Sequence, residues 1–571
     1  MTPRQRMIVA VATAVVAITR WLALSRTLWD WDEAQFILAL RHFDIAAHHP
    51  HPPGFPLFIA AGKAMQWIGF DEFHALQAIS FIAAVLIVPA MTSFALAAGA
   101  DFLTSILASL ILAFFPNVWF YGGTALSDVP SMTLIVLALA LLLRSRQQTA
   151  DSGQREKKPG CWPLAAVRCP TSLYAGAIVL GIAAGIRPQN LLIAAAPFAI
   201  ALWRYRRRAI GPALVTAAIV VISYSAAAWA TGGWEVFLDA LRRHQAYLAR
   251  VDAWTNPTRP LLTHLFDDFF IRPYRAPVIN IVTTLFVLIA LVRRKRSTLI
   301  ALAAFAPFCL AAWLMLDHFS VSRFSVGYAP LFAMLAADGI AIGRPAVRCL
   351  LSAVYIMLMI VWTWPALTVV RTTISPPVAA ANWLRAAHAT EVVVDPRMAA
   401  FGDALLPELT RRSGVWSALP GDYLLTDVPG AITFRRPHGT LWNLARQRYF
   451  EASVSPAQSP FAFEEGWYGR ESSRDEVWRW MGQRSRMRII ERCTSLTFDF
   501  YAPLADATIT IAIDGTVIDR FKPPAAEFMR TYAVSAPREL VIETDRVARN
   551  ANDARELGLR LKGLECGRPT T

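Results

Sequence analysis

Charged side chains are scarce in this chain. Asp, Glu, Lys and Arg make up 17% of its 571 residues against 55% hydrophobic, and the mean hydropathy is +0.39. So little charge excludes an ordinary soluble globular protein and points to a chain that crosses a membrane many times. Acidic residues are the scarcer kind, 41 against 56 basic, which leaves a formal net charge of +15. In a soluble protein that excess would suggest a nucleic-acid partner. In a membrane protein it has a simpler source, the Lys and Arg that collect in cytoplasmic loops. Cysteines are few, and Cys161, Cys169, Cys309, Cys349, Cys493 and Cys566 form no CxxC pair, which speaks against a structural zinc site. Cys493 and Cys566 could pair if the tail lies in an oxidising compartment. No internal repeat is evident. The N-terminus, MTPRQRMIVAVATAVVAITRWLAL, resembles a signal peptide but lacks a small-residue cleavage site. With further spans behind it, it reads as a retained first helix.

Long apolar runs are what the sequence has in abundance. A span needs about 20 mostly apolar residues, and that test gives about eleven candidates. They centre on Ala14, Ala84, Ile111, Val136, Ile178, Ala195, Ile219, Phe286, Phe305, Phe332 and Met359. GIRPQN, around Arg187, interrupts one long run and predicts a tight turn between two short helices. With the N-terminus inside, the basic residues then fall on one face: Arg4 and Arg6; Arg144, Arg146, Arg155, Lys157, Lys158 and Arg168; RYRRR at 204–208; RRKR at 293–296; and Arg344 with Arg348. That is what the positive-inside rule requires, and it accounts for most of the net charge. Nucleic acid drops out as a partner. The opposite face collects the opening loop at about 25–72, PNVWFYGGTALSDVP, Arg187, the segment 231–277, DHFSVSR and everything after about 370.

From about residue 375 the composition becomes that of a soluble domain of ordinary size. NWLRAAH predicts a short helix and TEVVVDP a strand. LTFDFYAPLADATITIAIDGTVIDRF alternates with period two, with a hairpin turn at Asp514-Gly515. RELVIETD and LGLRLKGLE add strands. The expected architecture is an α-helical polytopic membrane protein over 1–372, a short α/β connecting region over 373–465, and a β-sandwich-like domain over 466–571.

Residues 28–58, LWDWDEAQFILALRHFDIAAHHPHPPGFPLF, gather Asp30, Asp32, Glu33, Asp44 and four histidines right after the first span. EAQFILALRHF sets Phe36, Leu40 and Phe43 on one stripe with Arg41 and His42 outside it. PLFIAAGKAMQWIG begins on Pro56 and also has an apolar face. Both are too short to span and read as two flat interfacial helices. HHPHPPG between them is stiff and cannot be helical. This places Asp32 at the start of the first flat helix, at the water–lipid boundary.

WDE after the first span, then HPPGFPLF, then SDVP leading the fourth span, resembles the C-type (GT-C) membrane glycosyltransferases. The likeness is to the branch with protein O-mannosyltransferases, lipid A aminoarabinose transferases and rhizobial lipopolysaccharide glycosyltransferases. It implies an inverting transfer of a sugar from a polyprenyl-phosphate donor at the extracytoplasmic face. The acceptor would be a hydroxyl of a lipid, glycan or protein, and the setting a bacterial inner membrane with the N-terminus inside and the C-terminal domain outside. By that resemblance Asp32 holds the catalytic position and Asp128 the second acidic one, with Arg187 and Arg323 near a lipid phosphate. Glu33 and His51 are further candidate substrate contacts. His51 stands where the aminoarabinose branch has a Glu-Lys pair, so donor identity is not carried over.

The chemistry asks for the same groups. A hydroxyl attacking an anomeric carbon needs a base, and displacement with inversion needs only one. A phosphate leaving group needs fixed positive charge rather than an acid, and arginine binds phosphate oxygens bidentately. Simpler readings stand beside this one. Asp32 and Glu33 could cap a helix, and Asp128 could do the same. Arg187 and Arg323 could be interfacial snorkelling residues. Arg242, Arg243 and His244 read as a solvated helix face. Trp29, Trp31 and Trp119 suit an interfacial belt or a sugar-stacking surface. No cofactor is expected, although Asp30-Trp31-Asp32 spells a D-x-D that could hold a divalent metal, and His48, His49 and His51 could bind zinc. GWYGRE and VWRWMG in the tail could contact an acceptor glycan or belong to a spacer. A lipid-linked sugar flippase or secondary transporter is the rival class, and a glycan polymerase or ligase the third.

Overall fold

The computed structural model describes the chain except residues 156–170, 206–208, 257–258, 316–319, 414, 420, 437–438, 440, 473–475, 536–537, 551–552 and 568–571. Lys157, Lys158, Arg168, Arg206, Arg207, Arg208, Cys161, Cys169 and the start of DHFSVSR lie outside the described residues. The chain falls into two compact units, residues 1–375 with 437–450 and residues 376–436 with 451–571. The connecting region expected at 373–465 is therefore divided, since 437–450 belongs to the first unit.

The first unit is helical. It begins with α1 (Pro3–Trp21), closed by a Thr2–Gln5 capping box, α2 (Trp31–Arg41) and α3 (Pro56–Trp67). Then come α4 (Glu72–Ala98), α5 (Phe102–Phe114), the short α6 (Pro116–Tyr121) and α7 (Asp128–Arg155). Asp71 and Asp101 cap α4 and α5 through their side chains, and Gly99 ends α4 at φ +100°, a left-handed stop suited to glycine. The middle of the unit holds α8 (Thr171–Ile186), α9 (Asn190–Tyr205), α10 (Ile210–Ala230), α11 (Trp234–Val251) and α12 (Leu262–Phe266). A π-turn (Asp267–Ile271) leads to α13 (Pro277–Arg293), α14 (Arg296–Met315), the one-turn α15 (Val321–Phe324), α16 (Ala329–Ile340) and α17 (Pro345–Thr372). Each of the eleven hydrophobic centres read from the sequence lies inside one of these helices. Among the described residues, four helices are long and apolar enough to cross a membrane, at Glu72–Ala98, Ile210–Ala230, Arg296–Met315 and in Pro345–Ala386. GIRPQN is the turn between α8 and α9.

The first helix of the opening loop departs from the flat interfacial helix expected. In α2, Asp32 to Leu40 are all buried, so this helix does not lie with one face in lipid. Its polar residues are spent on the protein's own interior, and only Arg41 and His42 reach the exterior. In α3 burial is confined to Pro56, Phe58, Ile59 and Gly62, while Trp67 is 87% exposed. Between them the proline-rich stretch is irregular, with cis His49-Pro50 and Pro52-Pro53 and a bridge between Asp44 and His49. Gly54 sits at φ +102°, where a Cβ would meet Ile45 at 2.9 Å, so the tight return of this loop requires glycine.

The second unit has two parts. Five short strands form a mixed sheet in the order Thr410–Ser413, Glu391–Val394, Tyr423–Thr426, Glu451–Pro456, Ile432–Arg435. The first three are parallel and the last two antiparallel. Two five-stranded antiparallel sheets follow, with Leu496, Phe498, Phe500, Ile509, Ile511, Leu540, Ile542 and Leu561 in the core between them. The period-two pattern of Ser495–Tyr501 and Ile509–Ile513 places alternate side chains inward. Asp514 and Gly515, at φ 48° and 78°, make the hairpin turn anticipated at that dipeptide. Cys493 and Cys566 form a disulfide across 73 residues. Closing a loop of that length restricts the unfolded chain, so a Cys493→Ser/Cys566→Ser variant should lose about 2–4 kcal/mol from this unit. Near-ultraviolet circular dichroism during denaturation of the full chain reads that loss, and an unchanged midpoint would refute it.

Candidate active site

At the N-terminus of α2 the Asp30 carboxylate accepts the Asp32 backbone N–H at 2.9 Å, so the anticipated helix-capping role is filled by Asp30. The Asp32 side chain is thereby released for other partners. Glu33 turns back, its Oε2 accepting the N–H groups of Trp29 (2.5 Å) and Asp30 (2.9 Å) while Oε1 accepts that of Ala125 (2.8 Å). This glutamate ties the first loop to the segment before α7. These bonds give Glu33 a structural role beside the substrate contact that the sequence suggested. Glu33→Gln would set an amide N–H₂ against backbone donors and should cost about 1–3 kcal/mol, measurable as a lowered melting temperature in detergent.

Asp128 stands in the first turn of α7, Arg187 in the α8–α9 turn and Arg323 in α15. Far apart in sequence, they converge. Arg323 NH1 donates to Asp32 Oδ2 at 2.5 Å and to Asp30 Oδ1 at 3.3 Å, and its Nε donates to Asp128 Oδ2 at 3.1 Å. Arg187 NH2 pairs with the same Asp128 oxygen at 2.9 Å, and its Nε donates to Ser127 Oγ at 2.9 Å. Asp32, Asp128 and Arg323 are 6%, 5% and 1% exposed. A snorkelling arginine would be exposed at its tip, so that reading fails for both arginines. Asn117 of α6 fixes α15 by donating to the Ser322 carbonyl and to Ser325 Oγ.

His51 Nδ1 lies 2.8 Å from Gln35 Oε1 and 3.9 Å from Asp32 Oδ1, with its ring against Phe55. Neither His48 nor His49 accompanies it as a ligand set. Among the described residues no group of three His, Cys, Asp or Glu side chains is placed to hold a metal ion. His244 of α11 is not simply solvated, because its ring centroid is 6.4 Å from that of His51. Arg243 pairs with Asp239 at 3.1 Å. Trp119 is 1% exposed and packs edge-on against Phe114, so it belongs to neither an interfacial belt nor a sugar-stacking surface.

One participant was invisible in the sequence. Arg446, in the 437–450 segment, brings NH1 to 3.5 Å from Asp32 Oδ1 and 3.7 Å from Asp30 Oδ1. Nothing in LWNLARQRYF marks it, beyond aromatics that pack on the first loop: Tyr449 stacks on Trp31 and Phe450 lies against Trp29.

Burial alone would raise the Asp32 carboxyl. Arg323, Arg446 and His51 outweigh it and hold the group well below the usual carboxylate range. Burial lowers His51 to about 4 against the pull of Asp32, and raises Glu33 to about 7 against its backbone donors. These two shifts oppose each other in stability. His51 favours the fold above its unfolded pKa of 6.5, and that contribution is lost as pH falls toward 4. Glu33 favours it below 4.5, and that contribution is lost as pH rises toward 7. The stability of the intact protein should therefore vary little between about pH 4.5 and 6.5. A His51→Gln variant should become less stable as pH rises through that window, and Glu33→Gln more stable. Melting curves at several pH values decide, and equal slopes in the two variants would refute the assignment.

Three buried or half-buried guanidiniums thus face three aspartates in the helical unit, a composition suited to holding a phosphate beside a proton acceptor. Residues 32–210 match the family model of the protein O-mannosyl-transferase TMEM260 N-terminal domain. This region has the GT-C glycosyltransferase fold. The match includes Asp32, Glu33, His51, Asp128 and Arg187; Arg323 and Arg446 lie beyond it. No curated protein matches the chain. Among solved structures, the chain is similar to the S. cerevisiae protein O-mannosyltransferase Pmt1-Pmt2 complex bound to the sugar donor. There the identity is 16% over 45% of this chain and 37% of that one, with a TM-score of 0.29. The present chain thus spans under two-fifths of that yeast chain. It is similar also to the Archaeoglobus fulgidus oligosaccharyltransferase tethered with an acceptor peptide (10% identity, 98% and 97% coverage, TM-score 0.47). A third is ArnT from Cupriavidus metallidurans bound to undecaprenyl phosphate (15%, 70% and 75%, TM-score 0.41).

Proposed function

We propose that the protein is an inverting glycosyltransferase that moves a sugar from a polyprenyl-phosphate donor to a hydroxyl acceptor at the extracytoplasmic face of a bacterial inner membrane. The observation that carries this reading is the single buried guanidinium of Arg323 joining Asp32 to Asp128. It puts the candidate base and the candidate phosphate-binding charge in contact. Asp32 takes the proton of the acceptor hydroxyl as its oxygen bonds to the anomeric carbon. The bond from that carbon to the phosphate oxygen breaks, and its electron pair leaves on the lipid phosphate. Arg187 and Arg323 balance the charge that develops there. Asp128 holds both arginines in place, and His51, braced by Gln35, borders the acceptor side.

Eleven spans, with the N-terminus inside and the second unit outside, complete the proposal. The Cys493–Cys566 disulfide supports an oxidising compartment for that unit. No metal enters the step as written. Guanidiniums already face Asp30 and Asp32, so a chelator should leave transfer unchanged. The test is purified full-length protein with a labelled polyprenyl-phosphate sugar and hydroxyl acceptors of each class. Transfer with inversion supports the reading, while translocation of the lipid-linked sugar without transfer supports the flippase instead.

A further inference from the structure

Apart from the aspartate–arginine cluster, the π-turn at Asp267–Ile271 and the N-terminal half of α13 line a cavity of about 680 Å³. That volume falls within the roughly 300–1,000 Å³ usual for small-molecule sites. Its lining changes in character along the chain. Arg272 and Arg275 stand just before α13, Asn280 lies in its first turn, and Ile281 and Leu285 follow. Ile281 and Leu285 are one helical turn apart on a single stripe, and both are exposed. Asn280 is only 3% exposed, and among the described residues neither its side-chain oxygen nor its nitrogen has a hydrogen-bond partner. A buried amide without partners is costly, and hydrocarbon cannot supply what it lacks.

Charge around the same cavity is also left unmatched. Arg272 pairs with Asp267. Asp268 and Arg275 both line the cavity, yet among the described residues they form no ion pair with each other or with any third group. Opposite charges held apart beside an apolar stripe favour a ligand that carries both signs and bridges them.

We propose that this cavity binds phosphatidylethanolamine, with the lipid phosphate on Arg272 and Arg275, the ammonium on Asp268, and an acyl chain along Ile281 and Leu285. The Asn280 amide is donor and acceptor in one group, so it can give a hydrogen bond to a phosphate oxygen and take one from the ammonium. Other common headgroups fit less well. A glycerol headgroup brings no cation for Asp268, and a choline brings a cation without an N–H to donate. The order along the chain, charge, then amide, then apolar stripe, is that of a lipid standing in one leaflet. This inference does not rest on the transfer reaction.

The test uses the intact chain in detergent with equal amounts of phosphatidylethanolamine, phosphatidylglycerol and phosphatidylcholine of one acyl composition. Native mass spectrometry counts the lipid retained. Phosphatidylethanolamine should be held about 10-fold more tightly than either rival, the worth of one charged hydrogen bond. Asp268→Asn should abolish that preference, and Arg275→Gln should weaken retention of phosphatidylethanolamine about 10-fold. Asn280→Leu should weaken it as much, yet leave the melting temperature of the lipid-free protein at or above wild type, because an apolar side chain of similar size removes an unsatisfied amide. An asparagine that served only the fold would lower that temperature and leave retention unchanged. Equal retention of the three lipids by the wild type, or wild-type preference in Asp268→Asn or wild-type retention in Asn280→Leu, overturns the inference. So does displacement of phosphatidylethanolamine by polyprenyl phosphate at equal concentration, which would make the groove part of the donor's path. Should Asn280→Leu fail to fold, Asp268→Asn, at a half-buried position, decides alone.

Discussion

Asp32→Asn should reduce sugar transfer by about 10²- to 10⁴-fold, equivalent to roughly 3–5 kcal/mol of barrier, with the protein still folded. The substitution keeps shape and removes only the basic oxygen. Asp30, not Asp32, caps α2, so the helix start is preserved. Arg323 keeps its contacts with Asp128 and Asp30, so no buried cation is stranded. Polyprenyl-phosphate binding should persist in the variant, because one negative charge has left the site. Two measurements check this: single-turnover transfer with saturating donor, and a melting curve. Transfer within a few-fold of wild type would remove Asp32 from the mechanism whatever the stability.

The second large effect is expected at Arg323. Its guanidinium is 1% exposed and is the shared partner of three aspartates. Replacing it with Met leaves those carboxylates facing one another with only Arg187 and Arg446 nearby. Removing one partner of a buried pair typically costs about 3–5 kcal/mol, so Arg323→Met should fold poorly or melt far below wild type. Arg323→Lys separates stability from chemistry. A lysine supplies the charge but not the planar fork that spans Asp32 and Asp128. This variant should retain most of the fold and lose transfer on the order of 10²-fold, the usual effect of losing one oriented donor at a developing negative charge. Unfolding in detergent and transfer rates read the two effects apart. Wild-type rates in Arg323→Lys would mean that the bridge between the aspartates does not matter for catalysis.

Much of the candidate site was legible in the sequence. Asp32, Asp128, His51, Arg187 and Arg323 were all singled out on one face, and the structure brings all five together. The reason is that charge is costly in apolar surroundings, so each polar residue at the end of an apolar run stands out. The bonds of Glu33 were not legible, because a capping glutamate and a substrate-binding one look alike until the backbone donors around it are known. For α2 the interfacial expectation does not hold. The stripe of Phe36, Leu40 and Phe43 suggested a helix lying in the interface, but a short amphipathic pattern does not say whether lipid or protein covers its apolar side.

Hydropathy and charge are local properties, and so the chain by itself determined the helical positions, the β-rich tail with its hairpin at Asp514-Gly515, and the acidic cluster after the first helix. Which oxygen of Asp32 is occupied, that Asp128 holds two arginines, and that Arg446, far along the chain, lies beside Asp32, only the tertiary structure decided. Those contacts join residues up to about 400 positions apart, and no local pattern records them, because the energy of a buried ion pair depends on where its partner stands in space and not on how far away it lies along the chain.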